Sequence, residues 1–194
     1  DYVVEFTGLS KEELSSGSQT AIIFLLSLVF VYFILAAQYE SFLLPLAVII
    51  SLPLGVVGAF FGQRIAGLEN NIYFQIALIM LVGLLAKNAI LIVEFAIQRR
   101  SHGETLAMSA INAAKARLRP ILMTSFAFIF GMLPLVFASG IGSVGNRSIG
   151  TGAAAGLLIG TFFGLVAIPV LYVIFQWLQE KITPVKTKDI NLAE

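Results

Sequence analysis

Residues 73–97 read YFQIALIMLVGLLAKNAILIVEFAI, a long apolar run with one lysine, Lys87, near its middle. As a helix, this run places Lys87 about 21 Å along the axis from Tyr73 and about 15 Å from Ile97, because each residue rises about 1.5 Å. A hydrocarbon layer about 30 Å thick would hold the ammonium group near its centre. We therefore predict a membrane-spanning helix. The rest of the structure must then provide favourable surroundings for the ammonium group of Lys87.

A lysine at this depth is costly, by at least about 2.5–3.5 kcal/mol on insertion scales. One interpretation is that Lys87 reaches an interface or pairs with a neighbouring helix only for packing. Both interfaces lie beyond the reach of its side chain, so we favour a functional lysine that faces a protein partner or a wet cavity. Asn88 lies beside it and Glu94 follows two turns later on the same face, and both are possible supporting residues.

The composition indicates an all-α integral membrane protein. Of 194 residues, 58% are hydrophobic and 12% are charged, whereas soluble domains carry about 25% charged residues. The net charge of +1 gives no reason to expect a nucleic-acid partner. With no cysteine and a single histidine, His102, in a polar loop, we expect neither a metal site nor a cofactor.

Five apolar stretches are long enough to cross a bilayer as helices, which takes about 20 residues each. They cover residues 19–38, 42–63, 73–97, 120–138 and 149–178. Residues 2–6 alternate like a short strand that has nothing nearby to pair with. This lone strand and the missing initiator methionine predict a segment of a longer polypeptide. We expect residues 1–16 to end a preceding domain and connect it, 17–180 to form the membrane region, and 181–194 to form a polar tail.

Basic residues predict the orientation of the chain. Residues 98–119 and the tail together contain eight lysines and arginines, and the connections on the opposite side contain three. By the positive-inside rule, the 98–119 connection and the C-terminus are cytoplasmic. Within that connection, residues 104–117 are alanine-rich and weakly amphipathic, which is typical of a helix on the membrane surface. Pro120 is then expected to open the fourth span.

Glycines mark the last span as a packing helix. Gly152, Gly156, Gly160 and Gly164 recur every four residues, so they share one face and let another helix approach closely. The preceding stretch 139–152, SGIGSVGNRSIGTG, reads as a glycine-rich loop. It lacks the lysine of a phosphate-binding loop and lies between apolar spans, so we do not interpret it as a phosphate site.

A second polar cluster lies where the fourth span begins. Arg117 and Arg119 are followed by Thr124 and Ser125 about one turn inside. Taken singly, the arginines are ordinary cytoplasmic anchors, and Thr124 is a hydroxyl that bonds its own helix backbone. Together with Lys87 on the preceding span, they indicate a polar track from the bilayer centre to the cytoplasm, as proton pathways require.

The negative partner of Lys87 is missing from the sequence. Glu94 is the only acid inside a predicted span, and it lies too far along the helix for a direct ion pair with Lys87. We therefore expect the counter-charge to come from helices outside this chain.

Several separated motifs resemble one transporter family. GLLAKNAILIVEFA (83–96) and RLRPILMTSFAFIFGMLPL (117–135) are similar to the C-terminal membrane half of resistance-nodulation-division efflux pumps, the AcrB-type hydrophobe/amphiphile exporters. QYESFLLPLAVIISLPLG (38–55) and SIGTGAAAG (148–156) resemble the same family, and the resemblance covers essentially the whole chain.

The resemblance implies a twelve-helix inner-membrane pump that works as a trimer, with a periplasmic adaptor and an outer-membrane channel as partners. This chain would supply helices eight to twelve, and its first residues would end a periplasmic porter domain. In such pumps a lysine at the position of Lys87 faces paired aspartates in the other half, and residues matching Arg117 and Thr124 complete a proton relay. The implied activity is drug/proton antiport by a secondary active transporter, not an enzyme.

Two alternatives remain open at this point. A lipid- or sterol-sensing membrane domain of related fold would give no reason for a cation at mid-membrane. A heavy-metal exporter of the same superfamily would favour methionine pairs or acids along the spans, and the four methionines form no such ladder.

Overall fold

The computed structural model describes the backbone of residues 9–182 and the side chains of residues 22–23 and 25–181, and this part of the chain forms five helices with short connections. In chain order the helices are α1 (Leu9–Tyr39), α2 (Leu44–Ile65), α3 (Ile72–Ser101), α4 (Leu106–Val136) and α5 (Ser143–Ile182). The predicted all-α class is confirmed for this part of the chain. The strand predicted at residues 2–6 and the tail from residue 183 onward lie outside the described residues.

Four of the helices, α2 to α5, are long and apolar enough to cross a membrane. In α1 the described apolar part covers Leu25–Tyr39, which is shorter. Residues 73–97, from which the prediction of a spanning helix started, lie entirely within α3. Its first turn is fixed by Asn71, whose side-chain oxygen accepts a hydrogen bond from the Phe74 N–H at 2.9 Å, a common way to satisfy a free donor at a helix start.

Two predicted boundaries were wrong. The helix does not begin anew at Pro120, because α4 runs from Leu106 through Pro120 to Val136 without a break. Proline removes one backbone donor, and in a membrane helix the neighbouring turns and helices compensate for that loss. The glycine-rich stretch 139–152 is a loop only at its start, since α5 already begins at Ser143. The two glycines with positive φ, Gly140 and Gly142, lie before that point, so the others in the stretch fit a helix.

Helix α5 is the centre of the packing. It contacts α2, α3 and α4, whereas the described part of α1 packs only on α2 and α3. The buried apolar residues form two clusters at different depths: one includes Leu81, Leu85 and Leu157, and the other includes Ile92 and Tyr172. Along α3 the first cluster ends at Ala86 and the second begins at Ala89. Lys87 and Asn88 therefore lie at the level where the two clusters meet.

The α2–α5 contact depends on small residues. A Cβ added to Gly156 would lie 3.0 Å from the Ala59 Cβ and 3.1 Å from the Gly55 carbonyl oxygen, and it would overlap Leu81. A Cβ on Gly160 would lie 2.9 Å from the Gly55 Cα. The backbones of α2 and α5 are thus so close that these positions have no room for a side chain, which is the usual basis of helix association in membranes.

Candidate functional site

Lys87 lies fifteen residues after the start of α3 and fourteen before its end, at the middle of the helix. Its side chain is exposed on the surface of the chain. The ion pairs found among the described side chains are Arg99–Glu104 and Arg100–Glu180, both near the C-terminal end of α3. Among those side chains Lys87 therefore has no carboxylate within ion-pair distance.

The exposed lysine borders a groove between α1 and α3 with a volume of about 340 Å³. The groove is lined by Val31, Ile34, Leu35, Gln38, Gly83, Ala86, Lys87, Ile90 and Leu91. Apart from Gln38 and Lys87, the lining is apolar. A cation set in such a lining is stabilised only when an acceptor occupies the groove, because a lysine ammonium can donate hydrogen bonds and cannot accept them.

Asn88 points away from the groove into the helix bundle. Its side-chain Nδ2 donates to Ser125 Oγ on α4 at 3.4 Å, and Ser125 Oγ shares a hydrogen bond of 3.1 Å with Thr161 Oγ1 on α5. This polar chain joins three helices at the depth of Lys87. Because Asn88 is the sequence neighbour of Lys87, the chain fixes the rotation of α3 that leaves Lys87 on the groove side.

Thr124 and Arg117, the other two predicted relay residues, lie on α4. The Thr124 hydroxyl is exposed and donates within its own helix, with the carbonyl oxygens of Pro120 and Ile121 each at 3.1 Å. The Arg117 guanidinium lies 4.8 Å from the centre of the Phe95 ring on α3. Phe95 follows Lys87 by eight residues, about 12 Å along the axis. Arg117 thus occupies a position between Lys87 and the end of α3.

Arg99 shares the Phe95 ring with Arg117, because its guanidinium lies 5.2 Å from the same ring centre. Arg99 also pairs with Glu104 at 2.7 Å. Sequence reasoning missed this arrangement, as it missed Thr161 in the polar chain. Two signals were available in the sequence. Phe95 lies four positions before Arg99 on one helix face, and the Thr161 hydroxyl lies among the glycines of an apolar span.

Glu94 is partly buried and forms no ion pair with any described side chain. It lies seven residues beyond Lys87, about 10 Å along α3, on the side where the Tyr39 hydroxyl donates to the Ile90 carbonyl at 3.4 Å. Lys87 and Glu94 are therefore separate charges on one helix face.

The glycine face of α5 lies against two partners. Gly152 faces Phe74 on α3, where an added Cβ would be 2.7 Å from the ring. Gly156 and Gly160 face Gly55 on α2, as described above. Gly164 is different, since its nearest neighbour for a Cβ is Ile168 of the same helix at 3.5 Å, an ordinary contact.

Taken together, the described residues present an exposed cation at the middle of α3, an apolar groove beside it, a hydroxyl group at a similar depth on α4, and a guanidinium group nearer the C-terminal end of α3. Such a set can bind and release a carboxylate, and it can move a proton only if that carboxylate is supplied. This chemistry suits a site completed by another part of a larger molecule.

Comparison with known proteins gives the same family as the sequence motifs. The profile of the AcrB/AcrD/AcrF family matches residues 1–176. The chain is 46% identical over 168 residues to the toluene efflux pump membrane transporter TtgB of Pseudomonas putida, which is 87% of this chain and 16% of that protein. It is 46% identical over 174 residues to the multidrug resistance protein MdtF of Escherichia coli, covering 89% of this chain and 17% of that protein.

A third relative is the solvent-resistant pump membrane transporter SrpB of Pseudomonas putida, 45% identical over 172 residues, or 88% of this chain and 16% of that protein. The chain thus spans about a sixth of the length of these relatives. The family expected from the motifs around Lys87 and Arg117 is confirmed, and the chain belongs to the AcrB/AcrD/AcrF family of resistance-nodulation-division efflux transporters.

Proposed function

We propose that this chain is the C-terminal membrane part of an efflux transporter that exports hydrophobic or amphiphilic compounds in exchange for protons. Export is supported by the names of its relatives, which are toluene, multidrug and solvent efflux transporters. Proton coupling is supported by one observation above all: Lys87 is exposed at the middle of α3 with no carboxylate partner among the side chains of residues 22–23 and 25–181.

The proposed partner of Lys87 is a carboxylate from the N-terminal half of the same transporter, which reaches the lysine through the α1–α3 groove. Without a partner the ammonium group costs at least about 2.5–3.5 kcal/mol at this depth. An ionised carboxylate would remove most of that cost through a charge-assisted hydrogen bond. The groove has the volume, about 340 Å³, to admit side chains of a helix that packs on it.

Protonation of the carboxylate is the proposed switch. It cancels the negative charge, so Lys87 loses its attraction and turns toward another acceptor. The lone pairs of the exposed Thr124 hydroxyl are such an acceptor on α4, since its hydrogen is used by its own helix. Arg117, stacked on Phe95, places a positive charge on the path toward the end of α3.

The energy available is enough to move a two-state equilibrium. A proton that crosses 100 mV releases about 2.3 kcal/mol, which corresponds to a population change of about 50-fold. Two packings of α3 that differ by a few kcal/mol can therefore be interconverted by one protonation event. Periplasmic domains of the whole transporter would convert that change into substrate movement.

The remaining assignments complete this proposal. We assign residues 1–16 to the end of a periplasmic porter domain and its connector, residues 17–180 to a multi-pass bacterial inner membrane region, and residues 181–194 to a cytoplasmic tail. Helices eight to twelve of a twelve-helix transporter, a homotrimer, a periplasmic adaptor and an outer-membrane channel follow from the family. Asn88 and Glu94 support the relay, and the glycine face of α5 holds the bundle together.

The experiment is to replace Lys87 in the whole transporter and measure drug susceptibility in a pump-deficient host. Lys87→Met keeps an unbranched side chain one atom shorter and removes the charge, so we expect efflux to be lost while expression and trimer formation stay normal. Lys87→Arg keeps the charge in a different shape and is expected to retain partial activity. Lys115→Met is the matched control, because Lys115 is exposed on α4 and outside the relay.

Full drug resistance in the Lys87→Met transporter would reject the proposal. Loss of resistance in the Lys115→Met control as well would show that the assay reports any lost lysine, and would count equally against a specific role for Lys87.

A further inference from the structure

A small cavity of about 10 Å³ lies where α2, α3, α4 and α5 meet. Its polar lining residues come from three helices: Ser51 on α2, Asn88 on α3 and Thr161 on α5. Gly164 and Ile168 are among the residues that form its other walls. A water molecule needs about 10–15 Å³ of such volume and two to four polar partners, so both the size and the lining match one water.

The hydrogen atoms of the polar chain do not all have acceptors within the protein. Ser125 and Thr161 carry one hydroxyl hydrogen each, and the single bond between them uses one of the two. The bond from Asn88 brings a hydrogen of its own, so it does not use the second hydroxyl hydrogen. Within the described part of the chain neither hydroxyl makes a further hydrogen bond. One hydroxyl hydrogen therefore remains, and of the two residues only Thr161 lines the cavity.

The other polar groups around the cavity have unused acceptors. The Ser51 hydroxyl donates to the Val48 carbonyl at 2.6 Å, which leaves the lone pairs of its oxygen free. The Asn88 side chain donates through Nδ2, and its Oδ1 accepts no hydrogen bond from the described residues. Ser51 and Thr161 are 6% and 7% exposed. At that burial, an unsatisfied hydroxyl costs about as much as a lost hydrogen bond, so a partner is needed.

We infer that this cavity binds one water molecule that accepts from the Thr161 hydroxyl and donates to Asn88 Oδ1 and Ser51 Oγ. The three bonds complete the polar chain and extend it from α3, α4 and α5 to α2. The water lies on the opposite side of α3 from Lys87, and the inference stands whether or not the transporter is driven by protons.

The first test uses Gly164→Ala in the whole transporter, with thermal unfolding in detergent as the readout. An added methyl group there meets only Ile168 at an ordinary contact distance of 3.5 Å, so it enters the cavity without a clash. If the cavity holds a water, the methyl group displaces it and leaves the Thr161 hydrogen without an acceptor. We expect a lower melting temperature, although alanine favours a helix more than glycine does.

The matched background is Thr161→Val, which keeps the shape of the side chain and removes its hydroxyl. In that background the water has lost its donor partner and keeps only the bonds to Asn88 Oδ1 and Ser51 Oγ, so its displacement by Gly164→Ala should cost less. The fall in melting temperature caused by Gly164→Ala should therefore be smaller in the Thr161→Val background than in the Thr161 protein. A higher melting temperature in the Thr161 protein itself would show a dry void and would overturn the inference.

The direct test needs no variant. A density map of the whole transporter at a resolution that shows ordered water should contain a peak within hydrogen-bond distance of Thr161 Oγ1 and Asn88 Oδ1. An empty cavity in a map that shows buried waters elsewhere in the membrane region would overturn the inference.

Discussion

Substitution of Gly156 by valine tests the closest contact of the fold. The Cβ of the new side chain would lie 3.0 Å from the Ala59 Cβ and 3.1 Å from the Gly55 carbonyl oxygen, and it would overlap Leu81. Leu81 can change its rotamer, but the Ala59 Cβ and the Gly55 oxygen move only with the backbone of α2. Gly156→Val must therefore push α2 and α5 apart.

Overpacking of a tight contact costs about 1–3 kcal/mol, and the two contacts to backbone-fixed atoms place this site in the upper part of that range. Valine recovers about 0.3–0.5 kcal/mol of helix propensity relative to glycine. The net loss is then about 2 kcal/mol, or about 30-fold in the unfolding equilibrium. The assay is reversible unfolding of the purified transporter in mixed detergent, followed by circular dichroism.

Leu81→Ala provides the control for this prediction. It removes the side chain that the new Cβ would overlap, so the double variant should lose less stability than the sum of the single losses, with a coupling of at least about 0.5 kcal/mol. A Gly156→Val protein as stable as the parent, or single losses that add without coupling, would refute the close α2–α5 packing.

Three further predictions concern the polar groups at the helix ends. Glu180→Gln should lower stability by about 1–2 kcal/mol in the same unfolding assay, because the Glu180 carboxylate accepts hydrogen bonds from Arg100 Nε at 2.8 Å and Nη2 at 2.9 Å. Hydrogen bonds to charged groups contribute about 1.5–3 kcal/mol before solvent screening, and an unchanged unfolding midpoint would contradict this prediction. The Asn112 amide and the Arg99 guanidinium hold the pKa of Glu104 below its ordinary value. At pH values above that ordinary pKa, Glu104 therefore stabilises the fold, and this contribution is lost as the pH falls through the lowered pKa. Glu104→Gln should flatten the acid branch of a stability–pH profile, and an unaltered profile would count against the pairing. Asn71→Ala should cost about 1 kcal/mol of unfolding free energy through loss of the cap on α3, whereas Asn71→Asp, which retains the accepting oxygen, should lose less. Equal losses in the two variants would assign the effect instead to the bond that Asn71 Nδ2 donates to Ser148 Oγ at 2.8 Å.

The sequence predicted the helical fold because apolar length and charge depletion leave few other solutions in a bilayer. The helix around Lys87 was recognised from the length of its apolar run, and its cap at Asn71 lies just before the predicted start. Pro120 misled the prediction, because a proline removes one hydrogen bond and this is not enough to end a helix whose neighbouring turns remain intact. The glycines after Ser143 misled it in the same way, since glycine is a weak helix former in water but a common packing residue in membrane helices.

The candidate site could be predicted only in part. Lys87 was found because a cation in an apolar run is visible without a structure. The bond between Ser125 and Thr161 joins residues 36 positions apart, and no local pattern indicates which hydroxyls of different helices meet. The stacking of Arg117 on Phe95 was missed for the same reason, because α3 and α4 must first be packed before the ring and the guanidinium become neighbours.

The central claim is that Lys87 is neutralised by a carboxylate from the rest of the transporter. The most direct measurement is a structure of the whole protein at high and low pH, read for the distance from Lys87 Nζ to the nearest carboxylate oxygen. We predict an ion pair within about 4 Å at high pH, formed through the α1–α3 groove, and a longer distance at low pH. A Lys87 amine that points into lipid, or that has no carboxylate within bonding distance at either pH, would contradict the account.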